Sequence, residues 1–200
     1  MKEVRFATTN PTKSKRFSEG LLENNIMVKS LNDIDLKLDV EENGDDAIEN
    51  ALLKARACYN LTNLASIGMD DTLYLENVPL EKQPGLFVRR INGRSLTDKE
   101  MLDYYISLVQ EYGINGKLNC KWVYGIAVID KNGNENTYTW NKEDIYMVDK
   151  ASNIINPGYP LNSISKYKIL DKYIAELEEN EKKLIKVYED DVVEFIKNNI

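Results

Sequence analysis

Apolar positions recur along this chain at two periods, near two and near 3.6 residues, and the switches between them outline a mixed α/β protein. Val4 to Ala7 starts as a short strand with a charge on its alternate face. Pro11 disfavours the α region at Asn10, so that strand must end in a turn. Phe17, Leu21 and Leu22 then fall at helical spacing, predicting a helix from Lys13 to about Asn24. A second strand is expected over Ile26 to Leu31, followed by a polar, acidic stretch from Asn32 to Asp46. Ile48, Ala51, Leu52 and Ala55 form one stripe and predict a helix over Asp46 to Asn60, whose Asp45 and Asp46 suit a positive helix N-terminus.

Leu64 to Met69 reads as a buried strand ending at Asp70 and Asp71, with Leu73, Leu75 and Val78 continuing as extended chain. Turns are expected near Pro79 and at Pro84-Gly85. Thr97-Asp98-Lys99-Glu100 has the capping-box pattern, and Met101, Leu102, Tyr105, Leu108 and Val109 give the following helix its apolar face. Strand signals come next: Leu118 to Asp130, a turn at Lys131-Asn132-Gly133, Asn136 to Trp140, and Ile145 to Val148. After a loop over Asn153 to Asn162, Lys166 to Ile200 is expected to form two charged helices. Their anchors would be Ile169, Tyr173, Leu177, Leu184, Val187, Val192 and Ile196. With no repeat and no linker, one domain over residues 1–200 is expected. One lobe would cover about 1–96 plus the C-terminal helices, and a β-rich lobe about 97–165.

Composition then removes whole classes of function. The chain has 200 residues, 26 of them basic and 33 acidic, for a formal net charge of -7. That balance argues against a nucleic-acid partner, since such binding needs a basic surface. No histidine is present, which excludes Ser-His-Asp hydrolysis, Cys-His proteolysis and histidine-ligated zinc. Acid/base work is left to carboxylates, lysine, tyrosine, the thiols or a metal-bound water. Cys58 and Cys120 sit in no CxxC pattern, and no secretory leader or membrane-length apolar run is seen. The expected setting is therefore a reducing cytoplasm with no membrane association.

Two places can carry chemistry. The turn Thr8-Thr9-Asn10-Pro11-Thr12-Lys13 joins a strand to a helix, where free backbone N–H groups, hydroxyls and lysines can hold a phosphate. An ordinary capped turn would read the same way. Asp70-Asp71-Thr72 closes a buried strand, where two adjacent carboxylates can hold Mg²⁺ or aim a water; a solvated acidic turn is the plainer alternative. The acidic run from Asp39 to Asp46 offers a further ligand beside such a site. Lys142, Lys150, Lys166 and Lys168 lie around the Gly158-Tyr159 turn, and Tyr124, Trp122 or Tyr159 could stack on a base.

Taken in order, these motifs resemble the inosine triphosphate pyrophosphatase family. Thr8 to Lys13 is similar to its T/S-x-N-x-x-K phosphate loop, and Glu41-Glu42-Asn43-Gly44 with Glu49-Asn50-Ala51 through Lys54-Ala55 to its EETG…ENAxxKA helix. Met69-Asp70-Asp71-Thr72-Leu73 resembles A-D-D-S-G-L, and Pro84-Gly85 to Arg89-Arg90 resembles P-G-x-x-S-A-R. The resemblance implies an elongated mixed sheet flanked by helices, two lobes around a central cleft, and usually a homodimer. It implies Mg²⁺-dependent hydrolysis of non-canonical purine nucleoside triphosphates to monophosphate and pyrophosphate. Asp71 would be the general base; Asp70, Asp71 and more weakly Asp39 would hold the metal. Thr8, Thr9, Asn10, Lys13, Lys54, Thr72, Arg90, Gly158 and Tyr159 would bind the substrate. The second half departs from the pattern. Gly158-Tyr159 keeps two residues of G-Y-D-P-x-F, Arg16 stands where the family often has Glu, and the C-terminal Ser-His-Arg that reads the purine is absent. A modified or pyrimidine nucleotide as substrate, or a silent nucleotide-binding protein, remains compatible with the residues.

Overall fold

The computed structural model describes residues 1–91, 93–186 and 189–200. Val187, expected as a helix anchor, lies outside them. The elements run β1 (Lys2–Phe6), α1 (Pro11–Glu23), β2 (Ile26–Ser30), α2 (Ala47–Thr62), β3 (Ser66–Leu75), β4 (Arg90–Ile91), β5 (Arg94–Ser95) and α3 (Asp98–Tyr112). They continue with β6 (Lys117–Ile129), β7 (Glu135–Val148), β8 (Ser165–Tyr167), β9 (Lys172–Tyr173), α4 (Glu179–Lys186) and α5 (Asp190–Asn198). A mixed seven-stranded sheet has the order β2-β1-β3-β6-β7-β8-β9, and β4 pairs with β5 in a separate hairpin.

The chain divides into two compact units, one of residues 1–71, 124–140 and 185–200, the other of 72–123 and 141–184. The long strands β3, β6 and β7 each contribute a segment to both. In the first unit β1 pairs in parallel with β2 and β3, as β-α-β connections require. Pro11 at the first turn and Asn10 as N-cap start α1, the Asn10 Oδ1 accepting from the Thr12 and Lys13 N–H groups at 2.9 and 3.4 Å. Phe17 and Leu21 face the core, whereas Leu22, grouped with them by its spacing, is exposed because α1 turns only one stripe inward. Helix α2 packs through alanines: Ala51 and Ala55 meet Ala127 and Ile129 with no exposed surface among the alanines. Its approach is close enough that a Cβ on Gly68 would sit 1.9 Å from the Ala51 carbonyl, and one on Gly125 2.6 Å from the Ala47 carbonyl carbon.

In the second unit α3 begins at the Thr97–Glu100 capping box, as its sequence predicts, and buries all five expected anchors. The Tyr105 hydroxyl donates to the Val88 carbonyl at 2.9 Å, tying α3 to the segment before β4.

Three expectations are corrected. The strand after Leu64 does not stop at the aspartate pair but runs through it to Leu75, because Leu73 and Leu75, two apart on one face with Tyr74 exposed between them, are buried and hold the strand in place. The segments 136–140 and 145–148 form one continuous β7, whose first ten residues alternate exposed and half-buried. The stretch from Lys166 does not begin as helix: Ser165–Tyr167 and Lys172–Tyr173 pair as short antiparallel strands, a 3-10 turn follows at Ile174–Glu176, and α-helix starts only at Glu179. Ile169 and Leu184 are accordingly exposed, while Val192 and Ile196 anchor α5 as expected.

Candidate active site

The first unit holds a polar cavity of about 330 Å³, and its lining joins the two motifs singled out from sequence. Thr8, Thr9, Asn10 and Lys13 contribute from the β1–α1 turn, Asp70 from β3, Lys54 from α2 and Glu42 from the acidic segment. A larger hollow in the second unit, about 450 Å³, is mainly apolar, with Arg94, Glu100 and Asp103 as its charged lining residues and the first two paired with each other. The chemistry therefore favours the smaller, polar one.

The turn is both a capped turn and a donor cluster. Asn10 spends its carbonyl on the helix cap, and its backbone N–H donates to the Thr8 hydroxyl at 3.0 Å. Thr9 is exposed, and its carbonyl accepts from the Asn32 amide at 2.8 Å. Lys13 rises from the first turn of α1 and forms an ion pair with Asp71; its Nζ stands 3.8 Å from Asp70 Oδ1.

Both aspartates are half-buried, and the Asp71 N–H donates to Asp70 Oδ1 at 3.0 Å, which fixes the pair's geometry. Lys54 lies 3.2 Å from Asp70 Oδ2 and 3.2 Å from Glu42 Oε2. The site thus alternates Lys13, Asp71, Asp70, Lys54 and Glu42, with each ammonium shared between carboxylates. Such an array suits a polyanion–cation complex, because the lysines can turn to phosphate oxygens while the carboxylates take up a hard cation.

The Ham1 family profile matches residues 4–190. The chain belongs to the Ham1 family. This is the inosine triphosphate pyrophosphatase-like family that its motifs resemble. The Ham1 chain is 30% identical over 185 residues to a dITP/XTP pyrophosphatase of Bacillus subtilis (strain 168), covering 92% of this chain and 90% of that one. It is 28% identical over 187 residues to one of Bacillus anthracis, covering 92% and 90%. Among solved structures it is similar to a HAM1 protein from Coxiella burnetii, with a TM-score of 0.72, 22% identity and coverage of 99% and 98% of the two chains. A Staphylococcus aureus Ham1 protein gives 0.69 at 19% identity, covering 96% and 100%.

The remaining residues named from the sequence fall elsewhere in the Ham1 chain. Asp39 is exposed and does not line the cavity; its neighbours Leu38 and Val40 do, because alternate side chains of extended backbone face the same way. Glu42 takes the place expected of it. Thr72, Arg90, Gly158 and Tyr159 belong to the second unit. Thr72 is buried and donates to the Val123 carbonyl at 3.4 Å, and Arg90 is exposed. Gly158, at φ +79°, donates its N–H to Asp98 at 2.8 Å, and its carbonyl accepts from Arg89 at 3.0 Å. The Tyr159 hydroxyl is buried without a hydrogen-bond partner among the described residues. Arg89, not Arg90, is therefore the arginine built into a polar cluster there.

Two contributors escaped sequence reasoning. Asn50 is almost fully buried, and its Oδ1 accepts from the Gly44 N–H at 2.9 Å, pinning the acidic segment against α2. Its place on the alanine face of α2, where a polar residue needs a partner, is the signal that could have found it. The half-buried Arg16 and the buried Glu189 form an ion pair that no local pattern announces.

Proposed function

We propose that the chain is a nucleoside triphosphate pyrophosphatase, hydrolysing non-canonical purine nucleotides such as dITP and XTP to monophosphate and pyrophosphate. The whole chain serves as one functional domain. The observation that carries this reading is the convergence of Lys13, Lys54, Asp70 and Glu42 at one cavity beside the helix-capping turn, with Asp71 paired to Lys13. The names of the Bacillus relatives support the substrate class.

The donor atoms fit a divalent cation. They are carboxylate oxygens only, each already attracting a positive charge, and they include no thiolate or imidazole. Among the described residues no three acids converge as a preformed cage, which suits Mg²⁺, an ion that keeps waters and completes its shell with phosphates. Asp70 and Asp71 would hold it, with Glu42 beyond Lys54 as a further acid, and when bound it supplies charge neutralisation on the phosphate chain. Lys13 and Lys54 grip phosphate oxygens, with the Thr8 and Thr9 hydroxyls and the Asn10 amide nitrogen as further donors. Asp71 orients a water and accepts its proton; the water oxygen bonds to the α-phosphorus as the bond to the bridging oxygen breaks, releasing pyrophosphate. Thr72, Arg90, Gly158 and Tyr159 are proposed as substrate contacts, Asp39 as an outer acid. A homodimer and a cytoplasmic setting complete the reading, and the net charge of -7 supports the absence of a nucleic-acid partner.

The test is a panel of dITP, XTP, dATP and dCTP with wild type and Asp71→Asn. Monophosphate is resolved by chromatography, and pyrophosphate is measured after coupling to inorganic pyrophosphatase. The expected result is Mg²⁺-dependent release from the 6-oxopurine nucleotides and a loss of roughly 10²–10⁴ in kcat in Asp71→Asn. Release of orthophosphate instead of pyrophosphate, or undiminished turnover in Asp71→Asn, would refute it. Turnover confined to dCTP would move the substrate to the pyrimidines.

A further inference from the structure

Helix α2 and the acidic segment before it are joined by two rungs. In one, the Gly44 N–H donates to Asn50 Oδ1 at 2.9 Å. In the other, Glu42 Oε2 stands 3.2 Å from Lys54 Nζ. Their spacings match. Two residues of non-helical chain, from Gly44 back to Glu42, reach at most about 7 Å. Four residues of α-helix, from Asn50 to Lys54, rise about 6 Å and return to the same face. The first rung therefore presents Glu42 to Lys54 in register. A tight turn at Glu42, in which the Asn43 N–H donates to the Glu41 carbonyl at 3.0 Å, keeps the chain short between them.

Asn50 is 2% exposed and shares the buried face of α2 with Ala47, Ala51 and Ala55. Alanine there would be the better helix former and would bury no polar atom. The contact it makes is also close: a Cβ on Gly44 would sit 2.6 Å from the Glu49 Cβ and 2.8 Å from Asn50 Oδ1. Asn50 does not line the cavity, whereas Glu42 and Lys54 do, so it reaches the site through the segment it grips. What Glu42 changes is how Lys54 is shared. Lys54 Nζ also stands 3.2 Å from Asp70 Oδ2. With Glu42 in place the ammonium divides between two carboxylates; without it, the charge settles on Asp70 alone. An ammonium committed to Asp70 occupies its oxygens and repels a divalent cation approaching them.

We propose that Asn50 is a positioning residue for the divalent cation: its grip on Gly44 holds Glu42 against Lys54, which keeps Asp70 available. The inference rests on the pyrophosphatase reading. Asn50 touches no reacting group and acts only through the division of one lysine between two acids.

The experiment breaks the tie from both sides, with Asn50→Ala and Gly44→Ala, and discharges its target with Glu42→Gln. Gly44→Ala leaves the buried face of α2 intact, so it decides the matter if Asn50→Ala does not fold. Amide exchange by NMR follows position 44, which is expected to lose protection in both tie variants and keep it in Glu42→Gln. Calorimetry then gives the affinity for methylenediphosphonate, a pyrophosphate mimic that cannot be hydrolysed, in Mg²⁺ and in EDTA. The ratio of the two is expected to fall about 10- to 100-fold in all three variants, the range for a group that orients a metal ligand from outside. Gly44→Ala/Glu42→Gln should lose no more than the single changes, because both act through one contact. An unchanged ratio in a folded tie variant whose amide has opened gives Asn50 a structural role only and overturns the proposal. So does a loss that Glu42→Gln does not share, or losses that multiply in the double variant. If wild type cleaves no triphosphate, the pyrophosphatase reading fails, and the diphosphonate ratios alone decide for or against Asn50. A wild type that binds the diphosphonate equally with and without Mg²⁺ overturns the proposal outright.

Discussion

Gly68 sets how closely α2, and with it Lys54, approaches the strand that carries the aspartates. A methyl group built there meets the Ala51 carbonyl at 1.9 Å and the Ala55 nitrogen at 2.8 Å, both backbone atoms that no rotamer change can move. Restoring an ordinary contact of 3.4 Å to the carbonyl requires α2 to retreat by about 1.5 Å. Overpacking of this kind costs about 1–3 kcal/mol, with more when only backbone can give way. For a chain of this size that predicts a Tm lower by about 2–12 °C in Gly68→Ala. The same retreat moves Lys54 away from Asp70, now 3.2 Å apart, and a displacement near 1 Å at a reacting group can cost about 10²-fold in rate. Urea unfolding and dITP kinetics on Gly68→Ala check both numbers. If the variant unfolds at the wild-type urea midpoint and turns over dITP normally, the close packing of α2 on β3 does not position the site.

Lys54→Met removes a charged contact to both Asp70 and Glu42 and is expected to cost about 10- to 100-fold in kcat/KM, read from initial rates. Asp98 is held below its ordinary carboxylate value by the Gly158 N–H and by Arg89. Its stabilisation is therefore present above pH 4 and lost as pH falls through the lowered value, and urea midpoints between pH 5 and 3 should fall less steeply in Asp98→Asn. Cys58 and Cys120 are buried, and burial pushes the Cys120 thiol up to about 12. A chromogenic disulfide reagent at pH 8 should leave Cys120 unmodified in the native protein, and titrate both thiols after unfolding.

The polar turn and the aspartate pair were legible because each lies within a few consecutive residues at a strand end, and backbone geometry places such residues together. Lys54 was legible through the resemblance of Glu49 to Ala55 to the family's ENAxxKA helix. What escaped depends on partners distant in sequence. Arg16 and Glu189 are 173 residues apart, and α5 must pack on α1 before either carboxylate or guanidinium finds a partner. Asn50 was hidden among alanines whose pattern reads simply as a buried face. The C-terminal stretch misled for a related reason: Ile169 and Tyr173 sit four residues apart, a spacing a helix could use, yet pairing of β8 with β7 and β9 decides the conformation there.

The lysines that bridge Asp71, Asp70 and Glu42 act as internal counter-ions, leaving the resting pocket close to electrical balance. A divalent ion arriving alone would strand two ammonium groups beside it, and a bare polyphosphate would strand the acids. Only a complex bringing both signs together can exchange partners with every pair at once. Metal and nucleotide should therefore enter as one species, each strengthening the hold on the other.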